Sequence, residues 1–406
     1  MKYWHRFALG IGIGILIGIL LPLRGGDTIE QFHIIQRIII NLGRYALFPL
    51  IFFSSAIAVY ELWYEEKLHR MGLGLFLMIP LTTLATVTLG TLTLGILRPG
   101  RIPIIIKEGE VLRLPQGVQL LERVFPDNMF EVFSGDGSYL LPILIAAFLF
   151  GIAFHYPKAH SGPSLELFDS LSRLLFRITH YVIECMAFGM VGLSIHRVLL
   201  IRSTPDLDLF YQLFGVVGGL VVTIGFVIYP LALYFFGGRI NPISWLKGTL
   251  IPQLAALFSG DVYFTLSFLK RFGKEAHLIP RKTGSISYPV SVVFGRAGTA
   301  MVIAVSFLVI LQSYSSLEIT FGQYLWVMIN SFAVSFLLIG IPGQGVLIGL
   351  AVLSRWYGQG LEEGYLILLP AAPMLIAAGA VLDTITASLV TTLTSRWNKM
   401  EMKPVQ

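Results

Sequence analysis

Three charges fall in the repeated core beyond residue 240: Asp261 in Ser259-Gly-Asp261, Arg296 in Phe294-Gly-Arg-Ala-Gly-Thr-Ala300, and Asp383 in Ala380-Val-Leu-Asp383. Arg296 is the hardest to place. On a helix rising about 1.5 Å per residue it lies roughly 21 Å from Lys282 and roughly 33 Å from Glu318, the nearest flanking charges, so its guanidinium has no short route to water. An Arg or Asp at the bilayer centre costs about 2.5–3.5 kcal/mol on insertion scales, and a carboxylate partner is therefore expected for Arg296, either Asp383 or Asp261. Two carboxylates against one guanidinium leave a net negative site that admits a cation or an ammonium group, or holds one proton. A second role stays open for Asp261, because Ser-Gly-Asp is good capping chemistry for a following helix. The threonines between Thr384 and Thr394, like Thr82 and Thr83, are expected mostly to bond back to carbonyls of their own helices.

The elements that carry these residues belong to a membrane protein. The chain of 406 residues is 55% hydrophobic and 13% charged with mean hydropathy +0.77, outside the range of soluble globular chains. Its net charge of +6 reflects Lys and Arg in short inter-span segments, as cytoplasmic loops require, and no nucleic-acid partner is expected. The single cysteine, Cys185, excludes an intramolecular disulfide framework and a cysteine-based metal site. The basic start and apolar run MKYWHRFALGIGIGILIGILLPLRGG lacks a small-x-small cleavage site and reads as a retained first span. Apolar segments near 8–23, 34–62, 71–97, 138–156, 172–200 and 208–237 are each long enough to cross about 30 Å of hydrocarbon, the first only just. Residues 98–137, polar and rich in Pro and Gly, read as an exposed loop.

Beyond residue 240 the apolar segments are interrupted at their centres. Residues 243–270 break at Ser259-Gly-Asp261, and 325–356 break at Gly340-Ile-Pro-Gly-Gln-Gly345, where Pro342 lacks a donor and the glycines permit tight turns. Arms too short to span read as two re-entrant hairpins, each followed by a full-length helix, 284–312 and 365–394. The alternative is a pair of kinked spanning helices. A repeated pair of interrupted segments points to a secondary transporter with its site where the tips meet, in protein or water because loop backbone cannot face lipid. The fold class expected is thus an all-α polytopic membrane protein with eight transmembrane helices and two re-entrant helical hairpins in inverted repeats. Lys270, Arg271, Lys274, Arg281 and Lys282 place that connection on the cytoplasmic side, with the tail bearing Arg396, Lys399 and Lys403. No HExxH or GxSxG arrangement occurs, so an enzyme is not expected.

The order of six helices, hairpin, helix, hairpin, helix resembles the glutamate transporter family of dicarboxylate/amino acid:cation symporters. Phe294-Gly-Arg-Ala-Gly-Thr-Ala300 occupies the place of that family's Asn-Met-Asp-Gly-Thr motif, Ile341-Pro-Gly-Gln-Gly345 looks like its Val-Pro-Gly-Ala-Gly tip, Ala380-Val-Leu-Asp383 matches the start of the eighth-helix binding segment, and Val124-Phe-Pro-Asp-Asn-Met-Phe130 resembles the start of the fourth helix. The resemblance implies a homotrimer in the cell (inner) membrane with both termini cytoplasmic. It also implies a scaffold (1–70 and 138–205), an extracellular loop (98–137), and a mobile transport domain (71–97 and 206–395) moving as an elevator ahead of a tail, 396–406. By the same resemblance the site residues are Asp261, Arg296, Thr299, Ile341, Gly343, Gln344, Gly345, Asp383 and Thr386, with Asp383 where the family holds a substrate ammonium group.

The departures from the family carry the functional expectation. Its sodium-associated Asn and Asp are Gly295 and Ala297 here, the Met among its sodium sites is Arg296, and an eighth-helix sodium carboxylate falls at Thr394. A fixed positive charge opposes cation binding, so the usual sodium coupling is expected to be lost, leaving proton coupling through Asp261 or Asp383, or uncoupled exchange. The Arg that pairs with an acidic side chain aligns with Thr386 and the Asn that holds a main-chain carboxylate with Val390. The reading is a sodium-independent elevator transporter of a small amino-acid-like or carboxylate solute, with the lipid bilayer as surroundings, no cofactor, and at most a coupling proton. The alternative is a transporter-like protein that no longer transports and acts as a sensor, channel or structural component.

Overall fold

The structure is a computed structural model and describes residues 2–22, 25–97, 100–103, 122, 124–134, 139–155, 158–238, 240–276, 279–314, 318–340 and 343–398. Every regular element among them is helical: α1 (Lys2–Leu20), α2 (Gly25–Arg44), α3 (Leu47–Tyr64), α4 (Leu68–Leu97), α5 (Glu131–Ser134), α6 (Leu141–Ala153), α7 (Lys158–Ser203), α8 (Tyr211–Thr223), α9 (Tyr229–Phe236), α10 (Pro242–Ser259), α11 (Val262–Glu275), α12 (Arg281–Phe294), α13 (Ala297–Tyr314), α14 (Phe321–Leu337), α15 (Gly345–Tyr357) and α16 (Ala372–Trp397). Among the described residues six helical stretches are long and apolar enough to cross a membrane: Thr28–Tyr64, Leu68–Leu97, Gly162–Ser203, Leu207–Phe236, Arg281–Tyr314 and Ala372–Trp397. The runs expected to span at 8–23 and 138–156 are helical, as α1 and α6, but as described they fall short of that length, so six of the eight expected spans are matched and the expectation holds only in part. Most of the 98–137 insert lies outside the described residues, as does the tail beyond Asn398.

Several expected single spans are broken. Residues 34–62 divide at Tyr45-Ala46 into α2 and α3. The span 208–237 holds a π-helical turn, Ile224–Ile228, that gives way to α9 at Tyr229-Pro230. The expected continuous helix 284–312 is two helices, because the backbone unwinds at Gly295 and Arg296. A Cβ on Gly295 would stand 2.3 Å from the Ser291 carbonyl oxygen, so a residue with a side chain could not make this break.

Helices α1 and α2 pack on the 46-residue α7, and α3 packs on α6 and α7. The α1 contact is a seam of small residues, Gly10, Gly14 and Gly18, four apart on one face. Cβ atoms on Gly10 and Gly14 would lie 2.4 and 2.5 Å from the carbonyl oxygens of Ala187 and Val191. In a bilayer such close approach is the main source of helix attraction. Gly14→Leu is therefore expected to cost about 1–3 kcal/mol of stability by overpacking. Thermal unfolding in detergent checks this, and an unchanged melting temperature would mean that α1 does not seat on α7.

The other helices surround α12, α13 and α16. The most apolar windows of Arg281–Tyr314 and Ala372–Trp397 are 94% and 83% buried against 39% for Leu68–Leu97, so these two stretches form the interior. Two helix-break-helix pairs flank them. In the first, Asn241 caps α10 by accepting from the Ile243 and Ser244 amides, Pro242 occupies the first turn, and Gly260 closes it at φ +70°. In the second, Thr320 and Gln323 form a capping box at α14, and Gly343 at φ +77° precedes α15. The arms of each pair pack on each other.

The first pair meets α2, α3 and α7 through polar stitches. Gln36 donates to the Ser259 carbonyl (3.4 Å), Arg197 to those of Pro373 (2.8 Å) and Phe258 (3.3 Å), and Lys270 to the Ser54 hydroxyl (2.7 Å). Arg281 on α12 reaches Asp169 and Ser172 (2.8 and 2.7 Å), and Lys282 pairs with Glu65. That hydrogen bond to Lys282 holds the Glu65 carboxyl below the ordinary carboxylate range.

Candidate functional site

Unwinding at Gly295-Arg296 leaves the first amides of α13 without helical acceptors. Asp383 supplies the acceptors from α16. Its Oδ1 accepts from the Gly298 amide (2.6 Å) and the Thr299 amide (3.0 Å), and its Oδ2 from the Thr299 hydroxyl (2.6 Å). The approach is possible because Gly298 has no side chain, since a Cβ there would stand 2.5 Å from the Gly379 carbonyl oxygen. Asp383 is 1% exposed and three of its roughly four acceptor positions are filled.

Asp261 does the same for the first pair of arms. Its Oδ1 accepts from the Tyr263 and Phe264 amides at 2.8 and 3.1 Å, capping α11, and its Oδ2 pairs with Arg44 of α2. Both carboxylates thus sit at helix N-termini, where converging N–H groups favour negative charge. The ion pair expected between Arg296 and Asp383 or Asp261 does not form: each carboxylate is claimed by nearer donors, and neither lies within 4 Å ion-pair distance of Arg296.

Arg296 is nonetheless buried, at 3% exposure. Its guanidinium carbon stands 5.4 Å from the Tyr263 ring centroid, a cation–π contact, and its Nε and Nη2 make no hydrogen bond. The Arg44 guanidinium lies 5.7 Å from the same ring, and the Tyr263 hydroxyl donates to the Ile339 carbonyl (2.8 Å) at the end of the first arm of the second pair. Tyr263 therefore ties together both breaks, α2 and the Arg296 break.

The structure brings most of the expected residues to one place. Gly345, the first residue of α15, packs beside Thr299, since a Cβ there would lie 3.4 Å from Thr299 Cγ2. Gly343 is half-buried and Gln344 is exposed at the same tip, while Ile341 lies outside the described residues. Thr386 donates to the Leu382 carbonyl (2.7 Å), so the Tyr229 hydroxyl is the donor in their 2.8 Å contact. Thr384, Thr392, Thr82 and Thr83 bond back to their own helices as expected. Tyr229, Tyr263 and Arg44 were not among the candidates. Tyr229 precedes Pro230 inside an apolar span, and Arg44 is a charge inside the expected span 34–62, so both were legible by the rule that singled out Arg296.

Among the described residues no group of three or more His, Cys, Asp or Glu is arranged to hold a metal ion, and Thr394 carries no charge. A cavity of about 1040 Å³ between α4, α12 and the second pair is lined by Leu75, Ile79, Val290, Phe294 and Phe336 among other apolar side chains. Its chemistry is wrong for a polar solute.

A family model described as the sodium:dicarboxylate symporter family matches residues 4–397. The chain belongs to that family. It is 19% identical over 411 residues to the C4-dicarboxylate transport protein of Bacillus subtilis, covering 98% of this chain and 94% of the relative. It is 29% identical over 227 residues to human excitatory amino acid transporter 5 and 25% identical over 223 residues to mouse excitatory amino acid transporter 3, covering 55% and 54% of this chain. Those alignments span only 40% and 42% of the two longer relatives. Membership in this symporter family makes the chain a multi-pass membrane protein of a secondary-transporter family, and family members are transporters rather than enzymes.

Proposed function

We propose that this chain moves a small carboxylate-bearing solute across the membrane without sodium, by displacing one body of helices against another. The observation that carries the reading is the free edge of Arg296. Nε and Nη2 are adjacent on the guanidinium fork, both are buried, and both lack an acceptor. A carboxylate offers two oxygens at matching spacing and would take both N–H groups in one bidentate contact. The first amides of α15, from Gly345 onward, supply further donors at the second tip.

The net negative site expected from two free carboxylates is absent: Asp261 pairs with Arg44, the Gly298 and Thr299 donors take up most of the acceptor positions of Asp383, and the edge left without a partner is Nε and Nη2 of Arg296. This favours an anion over a bare cation and supports loss of sodium coupling. Arg296 itself supplies the positive charge that a coupled cation would otherwise bring.

The elevator reading takes α1–α3, α6 and α7 as the scaffold of a homotrimer and α4 with α8–α16 as the moving body. The two interrupted pairs serve as re-entrant hairpins within eight spans. Support comes from the interface between them, stitched by side-chain contacts that can break and re-form, such as Arg44 with Asp261 and Arg281 with Asp169. The second hairpin packs on α4, α13 and α16 within the moving body, so it is free to open.

Counterflow in proteoliposomes with labelled carboxylates and amino acids, with and without sodium, tests the reading. Accumulation of a carboxylate is expected in sodium-free medium. Failure of every solute in intact, folded protein would instead support a member that has lost transport.

A further inference from the structure

We propose that Lys270 is a proton-binding site whose occupancy decides whether the first hairpin docks on α3; the proposal rests on the elevator reading above. Lys270 is 7% exposed, on the α11 face that meets the scaffold. Its Nζ has one described partner, the Ser54 hydroxyl of α3 at 2.7 Å, and no carboxylate lies within ion-pair distance among the described residues. An ammonium taken out of water without an anion is costly to keep charged.

The surroundings do not supply that anion. A cavity of about 30 Å³, large enough for a single water, is bordered by Ser54, Ser172, Lys270, Lys274, Arg281 and Ser285. Arg281 of α12 spends its charge on Asp169 of α7, which also pairs with Arg173. Lys274, one turn along α11, stands 5.1 Å from the Phe176 ring of α7. On α3, Glu61 lies within range of the charges of Arg281 and Lys282. Lys270 thus faces two other cations, while Asp169 is already shared by two arginines and Glu61 lies beyond ion-pair distance of Lys270.

Ser54 suits a group that changes protonation. A hydroxyl accepts from an ammonium and donates to a neutral amine, so the contact survives loss of the proton. On docking, one Nζ–H proton is released to bulk water and the neutral amine accepts from the Ser54 hydroxyl. When the hairpin leaves α3, Lys270 meets water and takes a proton back. One proton linked to docking changes the docked-to-displaced ratio by up to about tenfold per pH unit, with docking favoured as pH rises.

The test uses the full chain in lipid nanodiscs with Cys185→Ser and spin labels at two exposed positions, Leu167→Cys on α7 and Trp397→Cys on α16, read by pulsed electron resonance between pH 5 and 9. Two distances are expected, with the displaced one gaining as pH falls. Lys270→Met should stay docked at every pH and Lys270→Arg, which keeps its charge, should favour the displaced distance at every pH. Two distances whose ratio ignores pH in the unsubstituted chain, or an undiminished pH response in Lys270→Met, overturns the proposal and leaves the elevator reading standing. A single distance in all proteins, even with saturating solute, overturns both.

Discussion

Arg296→Met is expected to abolish carboxylate uptake while raising the melting temperature. The two effects have one cause, a guanidinium that is buried and unpaired. Each charge-assisted hydrogen bond to the solute is worth about 1.5–3 kcal/mol, so losing the bidentate pair weakens binding by roughly 100-fold or more. In the free protein the same group carries a desolvation cost of several kcal/mol, offset in part by the Tyr263 ring, a contact worth up to about 2 kcal/mol. Methionine fills similar volume without that cost. Uptake and thermal unfolding measured on the same preparation check both halves. A variant that melts lower than the parent would mean that Arg296 has a stabilising partner, and one that transports normally would remove it from the site.

Asp383→Ala is expected to destabilise the protein most. Removing the carboxylate strands the Gly298 amide, the Thr299 amide and the Thr299 hydroxyl in a fully buried place. At about 1–3 kcal/mol per unsatisfied buried group, the loss is several kcal/mol, and it falls on the first turn of α13. Asp383→Asn should be much milder: the amide oxygen can serve both backbone N–H groups, and the Thr299 hydroxyl can turn to accept from the amide nitrogen. Thermal unfolding of the pair separates the capping role from a purely electrostatic one. Equal losses for Ala and Asn would show that the charge, not the acceptor, holds α13.

The sequence made the architecture legible because its signals are local. Gly, Pro and Ser-Gly-Asp at the centre of apolar runs mark the two breaks, and uninterrupted hydropathy marks the spans. The third break, at Gly295-Arg296, was hidden. It needs Gly295, and it needs Asp383, 85 positions beyond Gly298, to reach across and cap the helix that restarts there. The partner of Arg296 was misjudged for a related reason. Insertion costs say that a buried charge wants a counter-charge, but they do not count the backbone amides and the Arg44 guanidinium competing for the same carboxylates. Lys270 read as part of a cytoplasmic basic cluster, and only packing on Ser54 sets it apart from Lys274 and Lys282. Family motifs pointed to Thr299, Gly345 and Asp383, which the fold brings into contact, and to Thr386, which meets Tyr229; the contacts of Tyr229 and Tyr263, which bridge helices distant in sequence, required the fold.

The central claim is that Arg296 binds a carboxylate in place of sodium-assisted chemistry. The most direct measurement is calorimetric binding of the best counterflow solute to purified protein, first in sodium-free buffer and then with about 10 mM sodium. The account predicts the same dissociation constant within roughly twofold, a difference of less than about 0.5 kcal/mol. Tightening by tenfold or more on adding sodium would contradict it.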